Sequence, residues 1–94
     1  AFEVPPLKDS VVDQARLLDA SAATKLANAL KVIYEKGGPQ LAVLTVPSID
    51  NLTIEEASYK VAKSWQLGTA KNDNGILLFV AKEERKIRVE VGQG

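Results

Sequence analysis

The segment Lys71-Asn72-Asp73-Asn74-Gly75 concentrates oxygen-bearing side chains beside a glycine. One carboxylate and two amides supply the hard oxygen ligands that Ca²⁺ prefers, and Gly75 permits a sharp turn. The spacing does not fit an EF-hand, because the first Asp and the downstream Glu of that pattern are absent. A polar turn whose short side chains bond the local backbone would have the same composition. The segment is therefore either a calcium-binding loop, with Asn72, Asp73 and Asn74 as ligands, or a structural turn.

Asp13 is a second candidate ligand, because it stands among apolar residues near the start of the chain. It could cap a turn, or it could meet Asp73 at one end of a sheet and share a calcium ion with it. Two ionised carboxylates held that close would repel each other unless a cation balanced their charge. Both interpretations stay open at the level of the sequence.

Three further charged residues are weaker candidates. Asp50 follows the apolar run 41–46, and ligands of α/β proteins bind beyond the carboxyl ends of such strands. It also leads into the next helix, which is a structural role. Arg88 and Glu90 alternate with valines in the segment 86–91, so we expect them on the solvated face of a half-buried strand. Arg88 could instead hold a phosphate through two parallel hydrogen bonds.

The composition narrows the chemistry further. The 94 residues carry no net charge, which argues against a general nucleic-acid-binding protein. Histidine and cysteine are both absent, so an imidazole base, a thiol nucleophile and the usual zinc sites are excluded. A catalytic site would have to use carboxylates, hydroxyls, Lys, Arg or an oxygen-bound metal. The sequence contains no apolar run of the ~20 residues that a membrane-spanning helix needs.

The elements that must position these residues can be read from periodicity and capping signals. Pro5-Pro6 favours an extended arm over residues 1–12. A helix begins near Asp19 or Ser21 and ends at Gly37-Gly38. The spacing of Thr53 and Glu56 predicts a capping box at the start of a second helix. The remaining predicted elements are two apolar strands at 41–46 and 76–81 and an alternating strand at 86–91 that completes a hairpin.

This order predicts one α/β domain over residues 1–94, with a mixed β-sheet flanked by helices. The strands at 41–46 and 76–81 should be parallel, because a helix connects them. Both strands are apolar on two faces, yet little chain remains to cover the second face. The pattern is therefore that of a domain lacking its last elements, and the uncovered face should favour a homodimer or strand exchange.

Several motifs follow one another along the chain in a distinctive order. They are Val11-Val12-Asp13, Gly37-Gly38-Pro39-Gln40-Leu41-Ala42-Val43, Ser48-Ile49, Ile54-Glu55-Glu56, Trp65-Gln66-Leu67-Gly68, Lys71-Asn72-Asp73-Asn74-Gly75-Ile76-Leu77-Leu78 and Arg85-Lys86-Ile87-Arg88-Val89-Glu90-Val91-Gly92-Gln93-Gly94. This series, from about Val11 to Gly94, resembles the TPM domain family, also called the TPM phosphatase family, which includes exported bacterial proteins of the YgcG type.

The resemblance implies an αβα sandwich that is exported (periplasmic, extracellular or in a thylakoid lumen) and often anchored by a transmembrane helix outside this chain. Members commonly continue past the Gly-x-Gly motif into further helices, which agrees with the packing argument. In some members, acidic residues around the loop that contains Asp73 are tied to calcium or phosphate chemistry. The family also shows an Asp at the place of Asp13.

Two functions compete. The first is an exported or membrane-associated module that binds calcium and acts through a protein partner in the assembly or repair of a membrane complex. The second is a metal-dependent acid phosphatase that hydrolyses phosphomonoesters with water as the nucleophile. Ser64 or Thr69 could serve as a nucleophile near the loop, although no recognised motif supports either residue.

Overall fold

The computed structural model describes residues 2–68 and 74–93, and the side chains of Asn74 and Gln93 fall outside that description. Two α-helices and four β-strands alternate along these residues as an α/β fold. Neither helix combines the length and the apolar character that a membrane crossing needs. The elements are β1 (Val11–Asp13), α1 (Ala20–Glu35), β2 (Gln40–Val46), α2 (Ile54–Ser64), β3 (Asn74–Ala81) and β4 (Lys86–Gln93).

The strands form one mixed sheet in the order β1-β2-β3-β4. The first three strands are parallel and β4 runs antiparallel to β3, so the predicted parallel pair and the predicted hairpin are both confirmed. The sequence did not predict β1, which lies where the arm was expected to end. Its three residues pair with Val43, Leu44 and Thr45 of β2.

Both predicted helix starts are confirmed at the level of individual hydrogen bonds. The Asp19 side chain accepts a bond from the backbone N–H of Ala22, 2.7 Å away, and so caps α1. At α2, the Thr53 hydroxyl accepts from the Glu56 N–H while the Glu56 carboxylate accepts from the Thr53 N–H. Such reciprocal bonds satisfy backbone donors that the first helical turn leaves without partners. Gly37, with φ of 92°, follows the end of α1 as expected.

The core lies between α2 and one face of the sheet. Leu44, Leu77 and Phe79 are fully buried on that face and pack with apolar residues of α2. The N-terminal arm extends this core, because the Phe2 ring meets the Phe79 ring edge to face with centroids 6.1 Å apart. The indole N–H of Trp65 donates to the carbonyl oxygen of Pro5 at 2.7 Å, so Trp65 is a core residue, as predicted.

The second face of the sheet is covered over only part of its width. Helix α1 contacts β1 and β2, and Leu41 of β2 lines a depression together with Leu30 and Tyr34 of α1. On this face Val43 is 8% exposed, whereas Leu78, its partner on β3, is 37% exposed. Helices thus lie on both sides of the sheet, which confirms the αβα sandwich, but α1 leaves β3 and β4 uncovered.

The orientation of β4 differs from the prediction. Arg88 and Glu90 pair with Phe79 and Leu77, so they lie on the face that α2 covers. The valines of β4 instead lie on the second face and are exposed, Val89 by 55%. Alternation shows that a strand has an apolar face, but it does not show that another element packs on that face.

Candidate functional site

The ends of the polar loop are held together by contacts between glycine backbones. A Cβ atom added at Gly75 would lie 2.4 Å from the nitrogen of Gly68, and one added at Gly68 would lie 2.5 Å from the oxygen of Gly92. The residues that follow α2, up to Gly68, therefore lie directly on the amino end of β3 and the carboxyl end of β4, where only glycine fits. The Gly68 N–H also donates to the side-chain oxygen of Gln40 at 3.1 Å. These contacts fix where the predicted calcium loop begins and ends.

The calcium ligands predicted in this loop are only partly placed. Asn72 and Asp73 lie outside the described residues, as does Thr69, and Asn74 is the first residue of β3. Asp13 pairs with Thr45, which pairs with Val80. Asn74 and Val80 stand at opposite ends of β3, roughly 20 Å apart at the usual rise of a strand. The fold therefore separates Asp13 from Asn74, and a calcium site that includes both does not form.

Asp13 itself is occupied by structural bonds. Its carboxylate accepts hydrogen bonds from the N–H groups of Leu17 and Leu18 at 3.0 and 2.8 Å. It also accepts from the hydroxyl of Thr45 at 2.5 Å. Burial alone would raise the pKa of Asp13, but these donors outweigh burial and hold that pKa below its ordinary value. The geometry matches the capping interpretation of Asp13.

A second group of polar contacts joins the loops after β2 and β3. Oε2 of Glu84 accepts from the hydroxyl of Ser48 at 2.9 Å and from the N–H of Ile49 at 3.1 Å. Burial alone would raise the pKa of Glu84, but the donors at Ile49 and Ser48 outweigh it and lower that pKa. Asp50 is exposed with φ of 55°, and its N–H donates to the Ser48 hydroxyl at 3.0 Å. Asp50 thus belongs to a loop that Glu84 shapes.

Arg88 and Glu90 form a third polar group, under α2. Oε1 of Glu90 accepts from Nε of Arg88 at 3.2 Å and from the hydroxyl of Ser58 at 3.0 Å. Ser58 is fully buried, and the Glu90 side chain is 18% exposed. Nε of Arg88 therefore already bonds a neighbouring carboxylate, and only the other N–H groups of the guanidinium are left for a phosphate.

The hydroxyl nucleophile considered for a phosphatase lies near two cations. Ser64 is exposed at the end of α2 and lines a shallow depression with Lys60, Lys63 and Glu56. The two lysines can attract a phosphate group. The third charged residue of the depression, Glu56, is already bonded to the Thr53 N–H in the capping box. Across residues 2–68 and 74–93, no three acidic side chains come together in a way that could hold a metal ion.

Three residues with defined polar roles were missed by the sequence analysis, namely Thr45, Ser58 and Glu84. Each bonds a partner far away in sequence, so local spacing carries no signal of the pair. Ser58 offers a partial signal, because it is a polar residue at a position of α2 that periodicity places on the apolar face. A buried hydroxyl needs a hydrogen-bond partner, and Glu90 provides it.

A further exposed surface is the uncovered part of the second sheet face, which we call the open face. Cross-strand pairs bring its residues side by side. It consists of Ile76, Leu78 and Val80 of β3 with Val91, Val89 and Ile87 of β4. Ile87 is 67% exposed, Val89 55% and Val91 53%, which is unusual for adjacent apolar residues of a sheet.

Comparison with known proteins places the fold in context. The N-terminal domain of a protein from P. gingivalis, solved by NMR in solution, is 32% identical in sequence and superimposes with a TM-score of 0.84. The match covers 97% of this chain and 61% of that chain, so this chain spans less than two thirds of that relative. No curated protein sequence matches at a significant level. A family model described as the TPM domain matches residues 11–94. The chain therefore belongs to the TPM domain family.

Proposed function

We propose that this chain is a protein-interaction module of an exported or membrane-associated assembly, and that its loop binds a calcium ion. The observation that carries the interaction role is the open face, where Ile87, Val89 and Val91 are each more than half exposed. Apolar surface of this kind, contiguous across two strands, marks interaction sites on soluble domains. The location outside the cytoplasm follows the resemblance to exported TPM proteins.

The dimensions of the open face favour one kind of partner element. Two neighbouring strands are about 4.8 Å apart, so β3 and β4 with their margins offer a strip roughly as wide as a helix of about 10 Å diameter. Helix α1 already lies over the other two strands of the same face. An amphipathic helix from a partner protein would complete this layer and cover Leu78 and Val89 with its apolar stripe.

A photoreactive amino acid at Val89 of the full-length protein tests the interaction role in the native cell. We expect irradiation to link position 89 covalently to a different protein rather than to a second copy of this chain. The matched control is the same amino acid at Lys25, an exposed position of α1 away from the open face, which should give no such product. Products that link position 89 only to its own chain would contradict an interaction role.

The calcium part of the proposal rests on the closed ends of the loop. Gly68 and Gly75 are in backbone contact, so the two described ends of the segment lie side by side. Fixed ends reduce the entropy that a loop loses when a metal orders it. One carboxylate and two amides suit Ca²⁺, and water molecules or a partner would complete the coordination.

Thermal unfolding with and without calcium tests this site. An ion that binds only the folded state must raise the melting temperature. We expect saturating calcium to raise it by several degrees. The substitution Asp73→Asn removes the one carboxylate and should abolish the increase. Asp50→Asn is the matched control, because Asp50 lies in another loop, at the opposite end of the sheet. An equal increase in the wild type and in Asp73→Asn would refute the site.

A metal-dependent acid phosphatase is the alternative function, and the specific feature in its favour is the position of Ser64 beside Lys60 and Lys63. Hydrolysis of p-nitrophenyl phosphate separates the two functions. Turnover that requires calcium and disappears in both Asp73→Asn and Ser64→Ala would favour the enzyme over the interaction module.

A further inference from the structure

The outer edge of β4 is a second feature that the proposed function does not use. Within the described residues, β4 pairs with β3 on one side and ends the sheet on the other. The pairing is continuous from Lys86 to Gln93, one residue against one, without a bulge that would twist the edge away. A long, regular edge without proline presents free backbone groups that can pair with another strand. We infer that a second copy of this chain pairs antiparallel along β4, with the two-fold axis at Val89.

The register follows from charge complementarity. Centring the pair on Val89 places Arg88 opposite Glu90 of the second copy, and Glu90 opposite its Arg88. Opposite charges that face each other across two strands stabilise the pair. The same register sets Ile87 against Val91 in both directions, and Val89 against itself. Within residues 87–91 every cross-strand contact is then either between opposite charges or between apolar side chains, and Lys86 lies opposite Gly92.

Neighbouring registers are less favourable. Directly opposite residues of an antiparallel pair share a face. The register can therefore change only in steps that keep the face of Lys86, Arg88 and Glu90 opposite the same face of the second copy. Centring on Arg88 or on Glu90 places that residue opposite its own copy, which brings like charges together. Centring on Ile87 sets Lys86 opposite Arg88, again with like charges. The Val89 centre avoids these repulsions and keeps most of the strand paired.

Of the two charged residues, Arg88 is the more exposed. The side chains of Arg88 and Glu90 are 39% and 18% exposed, and Nε of Arg88 bonds its own Glu90 at 3.2 Å. A guanidinium carries five N–H donors, so it can bond a carboxylate of its own chain and one of the second copy. The pairing would join the two sheets and place the two open faces side by side between the two α1 helices. It uses the strand edge, so it is independent of the helix proposed to cover the open face.

Disulfide trapping gives a direct test, because the sequence has no cysteine. In the variant Val89→Cys the two new thiols would be directly opposite, with Cα atoms about 4.5–5.5 Å apart, within the range that a disulfide can bridge. We expect mild oxidation of the purified protein to convert Val89→Cys to a covalent dimer. A Val89→Cys chain that stays monomeric under oxidation would overturn the proposal.

Two control variants distinguish the register from random collision. Ile87 is more exposed than Val89, but in this register Ile87→Cys would lie far from its own copy and opposite Val91. Ile87→Cys alone should remain largely uncrosslinked. An equimolar mixture of Ile87→Cys and Val91→Cys should form a disulfide-linked mixed dimer. If Ile87→Cys crosslinks with itself as fast as Val89→Cys does, the register is wrong.

Sedimentation measures the charge contribution without a crosslink. Arg88→Glu sets two like-charge pairs across the interface and should raise the dimer dissociation constant about tenfold. Lys60→Glu changes the charge equally on α2, away from the edge, and should leave the constant unchanged. Circular dichroism confirms that both variants fold. A dissociation constant that Arg88→Glu does not change would contradict the charge pairing.

Discussion

Both faces of the β3–β4 pair carry apolar side chains, but these side chains have opposite environments. On one face Leu77 and Phe79 are fully buried under α2. On the other face Ile87 is 67% exposed and Val89 55% exposed, although both are as apolar as the core residues. One face contributes stability because α2 packs on it. The other face is exposed, and this exposure is the reason we propose it as a binding surface.

Substitution in the buried face should have the largest effect on stability. Phe79→Ala removes a fully buried ring that also meets Phe2 edge to face. We expect the free energy of unfolding to fall by about 3–5 kcal/mol, since the loss of packed atoms leaves a cavity. Urea unfolding followed by circular dichroism measures it. A loss below about 1 kcal/mol would show that α2 does not pack on this face as described.

The hydrogen bond between Asp13 of β1 and Thr45 of β2 should contribute less to stability than the core but more than the open face. Thr45→Val keeps the shape of the side chain but removes the hydroxyl that donates to Asp13 and accepts from the Ala15 N–H. We expect a loss of about 1–3 kcal/mol, because buried polar groups are left without partners. Thr24→Val, at an exposed position of α1, is the matched control and should cost under about 0.5 kcal/mol. Equal losses in the two variants would contradict a stabilising role of the Thr45 hydroxyl.

Acid should remove part of this contribution. The folded-state pKa of Asp13 lies below its ordinary value, so its carboxylate adds stability above the ordinary pKa and loses it as pH falls through the folded-state pKa. The difference in unfolding free energy between the wild type and Asp13→Asn should therefore be largest near neutral pH. It should shrink as pH falls below the ordinary pKa of 3.8 towards the lower folded-state pKa, where the carboxylate of the folded chain becomes protonated. A difference that grows as pH falls would contradict a folded-state pKa of Asp13 below its ordinary value.

Much of the fold could be predicted from local patterns. The capping box at Thr53 and the cap at Asp19 depend on residues a few positions apart, so the sequence displays them directly. The apolar runs predicted β2 and β3 for the same reason. In contrast, β1 has only three residues and forms because β2 offers it a backbone partner. Such a strand leaves no periodicity to detect.

The candidate site was less predictable, because its contacts join distant residues. Asp13 was recognised as a capping or ligand residue, but only the fold showed that Thr45 is its partner. The charges of β4 were predicted to face solvent, whereas Ser58 holds Glu90 beneath α2. Alternation predicted the strand correctly, but which face is covered depends on where α2 packs.

The central claim is that the open face serves binding rather than folding, and the stability of Val89→Thr tests it most directly. This substitution keeps the branched shape and replaces one methyl group with a hydroxyl. We predict that urea unfolding at low protein concentration will show a change within about 0.5 kcal/mol of the wild type, as at other exposed positions. A loss of about 2 kcal/mol or more would contradict the account, because it would mean that Val89 is buried within the folded chain.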